Sequence, residues 1–206
     1  MPPTADPAGS LPARYFDELY GRAPGGDPWH FATSPYEAAK YAATLAALPR
    51  PRYRSALEVG CSIGVFTRLL ADRVDRLLAV DIAPAAVARA RERCGDRPHV
   101  EVACLDLLEA TPRGPFDLIT LAEVGYYWAP ADFDRAFAAL VDAAAPGGQV
   151  LLVHWRAAVP DYPQTGDEVH ALAAGLAAGL GLVHRGGRVE AEYRVDLWER
   201  AGGGSG

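Results

Sequence analysis

From residue 55 to residue 155, short and nearly continuous apolar runs alternate with segments whose apolar residues recur at helical spacing. No other feature limits the possible folds so strongly. The runs are SALEV, RLLAVD, HVEVACLD, FDLITLAEV and PGGQVLLVHW. The helical segments are VFTRLLADR, PAAVARARERC and ADFDRAFAALVDAA. A strand that is apolar along its whole length must be covered on both faces, and parallel strands need long crossover connections. The pattern therefore predicts an α/β fold, a parallel sheet with helices on both faces.

The flanking segments extend this plan. MPPTADPAGSLP is rich in Pro and Ala, and residues 1–13 read as a disordered tail. Residues 14–50 read as a helical lid. It holds the short helix ARYFDELYG, a Gly- and Pro-rich connection, and a second helix with Ser34 as N-cap and Pro35 in the first turn. Residues 51–200 form the core. DEVHALAAGLAAGLG is a helix weakened by its glycines, and LVHRGGRV and AEYRVDLWER are the last strands, joined as an antiparallel pair. The count is seven strands in a mostly parallel sheet. Residues 201–206 read as a Gly-rich linker.

Composition narrows the function classes. With 206 residues the chain suits one domain, and its net charge of −6 with no run of Lys and Arg disfavours nucleic acid. Three cysteines without CxxC spacing support neither a disulfide framework nor a metal site, so no metal is expected. No run reaches the length of a membrane span and no leader pattern opens the chain. The simplest location is cytoplasmic. Oligomeric state is not legible.

In a parallel α/β sheet ligands bind beyond the carboxyl ends of the strands, where the strand order reverses. Four of those ends carry or adjoin an acid: Glu58, Asp81, Asp106 and Glu123. The first turn reads E-V-G-C-S-I-G. It has glycines at Gly60 and Gly64 only, not the G-x-G-x-x-G that a pyrophosphate needs. Glu58 repels phosphate but suits a sulfonium and an α-ammonium. Gly60 lets a ligand approach the backbone, and Gly64 lets the helix start close to the strand. Asp81 is placed to accept ribose hydroxyls, and Asp106 to meet an adenine amino group. Taken singly, each glycine also suits an ordinary turn, and Asp81 also suits a helix cap. Together and in this order they point to an adenosyl cofactor.

LEVGCSIGVFTRLLA, LLAVDIAPAAVARARER, CLDLLE, FDLITLAEVGYYW and PGGQVLLVHW resemble the motif series of class I S-adenosylmethionine-dependent methyltransferases, which have a Rossmann-like fold. More narrowly, DPWHFATSPYEAAKYAATL, AEVGYYW, DEVH and YRVDLWER resemble the nodulation protein S family of N-methyltransferases. The resemblance covers about residues 14–200. It implies S-adenosyl-L-methionine as cofactor, bound by Trp29, Tyr36, Glu58, Gly60, Cys61, Gly64, Asp81, Ile82, Asp106, Leu107 and Glu123. It implies N-methylation of a small amine such as an amino sugar. Ser62 stands where most class I enzymes have a middle glycine. Gly125 stands where the narrower family usually has a bulky aliphatic residue, which implies a wider acceptor pocket.

Methyl transfer from a sulfonium needs alignment and exclusion of water rather than a metal or a covalent intermediate. An amine acceptor must also lose a proton. Glu123 is expected to bind the amine and His154 to accept or relay its proton, with Tyr127 beside them. Tyr126, Tyr127, Trp128, His154 and His170 are expected to line the acceptor side, aromatic faces favouring a cation. The structural alternatives are a His154 bonded to backbone, aromatic residues packing a helix onto the sheet, and a His170 that is simply a helix residue. The functional alternatives are an O-methyltransferase of a natural-product hydroxyl and a non-catalytic cofactor-binding module.

Overall fold

Helix and strand boundaries follow local chemistry. The computed structural model describes residues 9–202, and these divide into two units, one of Pro12–Asp106 and one of residues 9–11 with 107–202. In the first unit, α1 (Ala13–Arg22) buries Phe16 and Tyr20. Helix α2 (Pro35–Ala46) begins as the sequence predicts, with Pro35 in its first turn and the Ser34 hydroxyl accepting the Glu37 amide at 3.3 Å. Strand β1 (Ala56–Val59), α3 (Val65–Ala71), β2 (Leu77–Asp81), α4 (Pro84–Arg93) and β3 (Val100–Cys104) follow in alternation. β1 pairs parallel with β2, Ala56 opposite Leu77, and β2 pairs parallel with β3, Asp81 opposite Cys104. Leu57, Leu70, Ala79, Val80 and Ala90 are buried here, each large aliphatic contributing about 1.5–3 kcal/mol by leaving water.

The second unit starts with β4 (Phe116–Ala122), then a 3-10 turn (Gly125–Tyr127), α5 (Pro130–Ala143) and β5 (Ala144–Trp155). Helix α6 (Gly166–Ala177) opens with a capping box of Thr165 and Glu168, and β6 (Leu182–Val189) and β7 (Tyr193–Arg200) close the chain. β4 and β5 are parallel. β7 is antiparallel to both β5 and β6. The strands run in the order β3-β2-β1-β4-β5-β7-β6, a seven-stranded sheet with one antiparallel strand, as the sequence predicts.

Two expectations change. The Pro-Gly-Gly segment is not a turn ahead of β5. The strand starts at Ala144, and its register against β4 shifts between Phe116 and Leu118. Gly147 takes φ +73°, while a Cβ on Gly148 would lie 2.7 Å from the Phe116 carbonyl, so the glycines make a bulge. The disordered tail of residues 1–13 is the second. Residues 1–8 lie outside the described residues, but Ser10 donates to Asp132 at 2.6 Å and accepts the Ala129 amide at 2.8 Å. Leu11 is buried, and its amide donates to the Tyr127 carbonyl at 2.8 Å. This short segment belongs to the second unit. Helix α1 lies in the first unit, with Tyr20 among its buried residues. Of the Gly-rich end, residues 203–206 lie outside the described residues, while the Ala201 amide donates to Gly181 at 2.8 Å.

Candidate functional site

In the first unit alternate residues of the turn after β1 take left-handed backbone conformations. Gly60 takes φ +79°, Ser62 +50° and Gly64 +80°. The Gly60 and Cys61 amides donate to the Val80 carbonyl at 2.8 and 3.0 Å, tying the turn to the end of β2. Asp81 continues the brace: its carboxylate accepts the Ser62 amide at 2.8 Å and the Ala83 amide at 2.9 Å. The sequence offered two roles for Asp81, ribose ligand and helix cap; its carboxylate instead braces the turn and the backbone leading into α4, whose N-cap is Ala83 without a side-chain cap bond. Burial raises its pKa above the ordinary carboxylate value, against the pull of those two amides.

Gly64 has a different reason from the one expected. A Cβ there would lie 2.9 Å from the Ala90 backbone, so the glycine lets α3 approach α4 rather than the strand. Ser62 gains a partner that sequence reasoning missed, because the Tyr20 phenol donates to its hydroxyl at 2.7 Å. The tyrosine is part of an amphipathic helix and carried no signal of its own. Its pKa is pushed well up by burial and by the neighbouring Asp81 charge.

Glu58 is 2 % exposed, and its Oε2 has no hydrogen-bond partner. Burial, aided by the Asp81 charge, pushes its carboxyl up to about 8. Cys61 and Leu107 are buried, whereas Ile82 and Asp106 are half-buried just past β2 and β3. Trp29 is half-buried and held by rings. It meets Tyr20 edge-on at 5.6 Å and stacks on Phe31 at 5.4 Å, and the series continues through Tyr41 to Phe66. Tyr36 lies under the Lys40 ammonium at 5.3 Å, and that lysine pairs with Glu37 at 3.0 Å.

In the second unit Glu123 follows β4 with φ +59°, a conformation that costs a non-glycine residue on the order of 1–3 kcal/mol. Its Oε2 accepts the Tyr126 phenol at 2.6 Å and the Trp155 amide at 2.9 Å. Tyr126 stacks on Tyr162 at 5.2 Å and meets Tyr127 edge-on at 4.7 Å; Tyr127 meets Tyr162 edge-on at 4.8 Å. Tyr162 was not anticipated, because it lies in a polar loop without periodicity. Tyr126 and Tyr127 are themselves buried, so Tyr162 is the half-buried member of the group.

The other residues expected on the acceptor side take the following places. His154 is fully buried; its Nε2 accepts the Gly125 amide at 3.0 Å and its Nδ1 meets His170 Nε2 at 3.2 Å. Both ring nitrogens are thus engaged within the protein. His170 is 1 % exposed and sits between His154 and Asp196, so it lines no acceptor surface. Trp128 is buried against Phe133, its carbonyl accepting Gln164 at 2.7 Å, so it packs the fold. Gly125 opens no pocket. A Cβ there would lie 2.7 Å from Val169 and 3.0 Å from His154.

Among the described residues no group of three or more His, Cys, Asp or Glu is placed to hold a metal ion, and no helix is long and apolar enough to cross a membrane.

Comparisons with known proteins agree with this layout. The Nodulation protein S of Rhizobium tropici is 35% identical over 127 residues, which cover 61% of this chain and 53% of that protein. The chain spans about half the length of the curated relatives it matches. Among solved structures, the N-methyltransferase NodS from Bradyrhizobium japonicum WM9, in complex with S-adenosyl-L-homocysteine, aligns with a TM-score of 0.79 at 24% identity, covering 91% of this chain and 97% of that one. A candidate methyltransferase from Pseudomonas syringae aligns with a TM-score of 0.67 at 39% identity, covering 80% and 99%. The fold is thus the Rossmann-like one of these methyltransferases. The model of the family described as nodulation protein S (NodS) matches residues 18–173, three-quarters of the sequence, and the chain belongs to that family.

Proposed function

We propose that the protein is an S-adenosyl-L-methionine-dependent methyltransferase that methylates the nitrogen of a small amine, such as an amino sugar. The observation that carries the reading is the Gly60–Gly64 turn, left-handed at alternate residues and braced by Asp81, together with the buried Glu58 Oε2 that no hydrogen bond satisfies in the strand before it. These residues fit an adenosyl-sulfonium group. The turn offers backbone without a phosphate-binding glycine series, and Asp81 suits hydroxyl donors rather than an anion. Asp81 would accept from the ribose with lone pairs that the two amides leave over. Asp106, Ile82 and Leu107 would meet the base, and Trp29 and Tyr36 would close the front. Family membership supports the same assignment.

When bound, the cofactor supplies an electrophilic methyl group. The chain's task is then to hold an amine in line, keep water away and take up its proton. Glu123 is the residue suited to it. Tyr126 and the Trp155 amide fix its carboxylate in one orientation, and a carboxylate attracts an ammonium and receives its proton as the lone pair is exposed. The Tyr126, Tyr127 and Tyr162 rings would add cation–π attraction of about 0.5–2 kcal/mol. With His154 engaged elsewhere, Glu123 carries both roles. All three cysteines are free, which fits a reducing, cytoplasmic location.

The test is calorimetry with S-adenosylmethionine, S-adenosylhomocysteine and NAD, followed by mass spectrometry of a panel that includes glucosamine, chitosan oligomers and matched alcohols. Binding of the first two ligands and methylated amines are expected, and Glu123→Gln should suppress product while leaving cofactor affinity nearly unchanged. Tight NAD binding would overturn the cofactor assignment. Methyl ethers with inert amines would replace the N-methyl reading with the O-methyl one, and cofactor binding without any product would favour a binding module.

A further inference from the structure

Five polar side chains in the second unit form a continuous hydrogen-bonded series that the proposed reaction does not use. It begins at the Gly125 amide and ends at the surface. The Gly125 N–H donates to His154 Nε2 at 3.0 Å, so this nitrogen is the acceptor and the ring hydrogen sits on Nδ1. Nδ1–H then donates to His170 Nε2 at 3.2 Å. His170 therefore carries its own hydrogen on Nδ1, which donates to Asp196 Oδ2 at 2.7 Å. Asp196 also accepts from Arg194 on Oδ2 and from His184 on Oδ1, each at 2.8 Å. One backbone donor at one end and one carboxylate at the other fix the tautomer of each buried ring.

The sequence bends to accommodate the series. Gly125 has no Cβ because Val169 and the His154 ring occupy that space. Gly166, at the start of α6, has no Cβ because the Trp155 carbonyl and His154 Cβ stand there, which lets α6 bring His170 down onto β5. Gly125 is also the first residue of the turn whose next residue, Tyr126, holds the Glu123 carboxylate. A hydrogen bond to Gly125 therefore acts on the backbone between the two residues assigned to the acceptor.

We propose that His154, His170 and Asp196 are positioning residues. Through the Gly125 amide they hold the Glu123–Tyr126 pair in the geometry that receives the acceptor amine. The inference rests on the methyl-transfer reading for its consequence, though the hydrogen-bonded series stands without it. It works only while His154 is neutral, since a protonated ring presents N–H to the Gly125 N–H. Asp196 and Arg194 from β7, His184 from β6, His170 and Asp167 from α6, Arg156 beside Asp167 and the Tyr126 ring from the 3-10 turn are the titratable or charged groups around the rings. Burial holds His170 below the ordinary histidine value, which favours the neutral series near pH 7. Burial also works against the Asp196 carboxylate, but the hydrogen bonds from His170 and His184 keep its pKa low.

The first readout is hydrogen exchange of the Gly125 amide by nuclear magnetic resonance in the full chain, which needs no substrate. His154→Ala should speed exchange at least about tenfold by removing the acceptor. His154→Gln, whose amide can accept from Gly125 and donate to His170, should restore protection to within about threefold. The second readout is kinetic, with glucosamine as acceptor. His154→Ala should lower kcat/KM by about 10–100-fold, as misplacement of a reacting group does, with S-adenosylhomocysteine affinity within twofold of wild type. In the wild type, protection and kcat/KM should fall together on acidification as the histidine pair takes up a proton. In His154→Gln neither should follow that titration. Unchanged Gly125 exchange in a folded His154→Ala protein overturns the proposal, and so does an unaltered acid limb in His154→Gln. If no amine is methylated by the wild type, the methyl-transfer reading falls, and Gly125 exchange alone decides whether the histidines hold the turn.

Discussion

Glu58 and Asp81 show how far a side chain's chemistry depends on its surroundings. Both are acids at the ends of neighbouring parallel strands, and both are buried. Asp81 receives two backbone amides, whereas Oε2 of Glu58 receives none, and burial raises Glu58 to about 8. A carboxyl raised above its unfolded value folds best while protonated, so stability declines as pH rises from the unfolded value near 4.5 through 8. Glu58→Gln should flatten that decline, with a melting temperature matching wild type near pH 5 and exceeding it near pH 8.5. The difference should be at most about 5 kcal/mol, at about 1.4 kcal/mol per pH unit. Equal pH profiles of the two proteins in a thermal melt would show that Glu58 is not the group responsible. Asp81→Ala should lower S-adenosylhomocysteine affinity by about 1.5–3 kcal/mol, the worth of hydrogen bonds to a charged group. It should also lower the melting temperature, since the Ser62 and Ala83 amides lose their acceptor. Calorimetry and a melt on one preparation separate the two effects.

Single contacts at the ends of the elements do much of their placing. Gly64 lets α3 approach Ala90 on α4, and its left-handed φ of +80° adds a second reason for glycine. Gly64→Ala meets both obstacles and should cost about 1–3 kcal/mol of stability in denaturant unfolding. Thr165→Ala should cost about 1 kcal/mol by removing the cap of α6. Because α6 carries His170, the same variant should also loosen the Gly125 amide. At this scale the sequence was largely readable. Pro35, Pro84 and Pro130 mark helix starts, and the apolar runs mark the strands. The Thr165–Glu168 spacing is equally readable as a capping box. The start of β5 was not readable, because Pro-Gly-Gly is a turn in isolation and a bulge only when β4 lies beside it.

For the molecule as a whole, the acid and alkaline limits of stability come from different buried groups. His170 is held neutral by burial, so the unfolded chain binds the extra proton, and stability falls as pH drops below the ordinary value of 6.5. Glu58 acts in the opposite direction, through its rise to about 8. The melting temperature should therefore decline from pH 6.5 towards 8 through Glu58, while between about pH 4.5 and 6.5 the two groups oppose each other. His170→Gln should remove the loss below pH 6.5, and Glu58→Gln the loss towards pH 8. Exposed pairs such as Arg22 with Glu18 should contribute little to either loss.

The linear pattern determined the fold class, the seven strands, the helix starts and the acids at the strand ends, because each of these depends on residues a few positions apart. It also determined the family, through motifs spread along the chain. What it did not determine is which neighbour each polar atom meets. His154 looked like a base because it ends a strand, and it became a backbone acceptor because α6 carries His170 onto it. Gly125 looked like extra room, and the space beside it is taken by Val169 and His154. Tyr20, Tyr162 and Asp196 carried no local signal, since their partners lie 42, 36 and 26 residues away at Ser62, Tyr126 and His170. Periodicity is written in the chain, whereas the pairing of buried polar groups exists only once distant segments have been packed together.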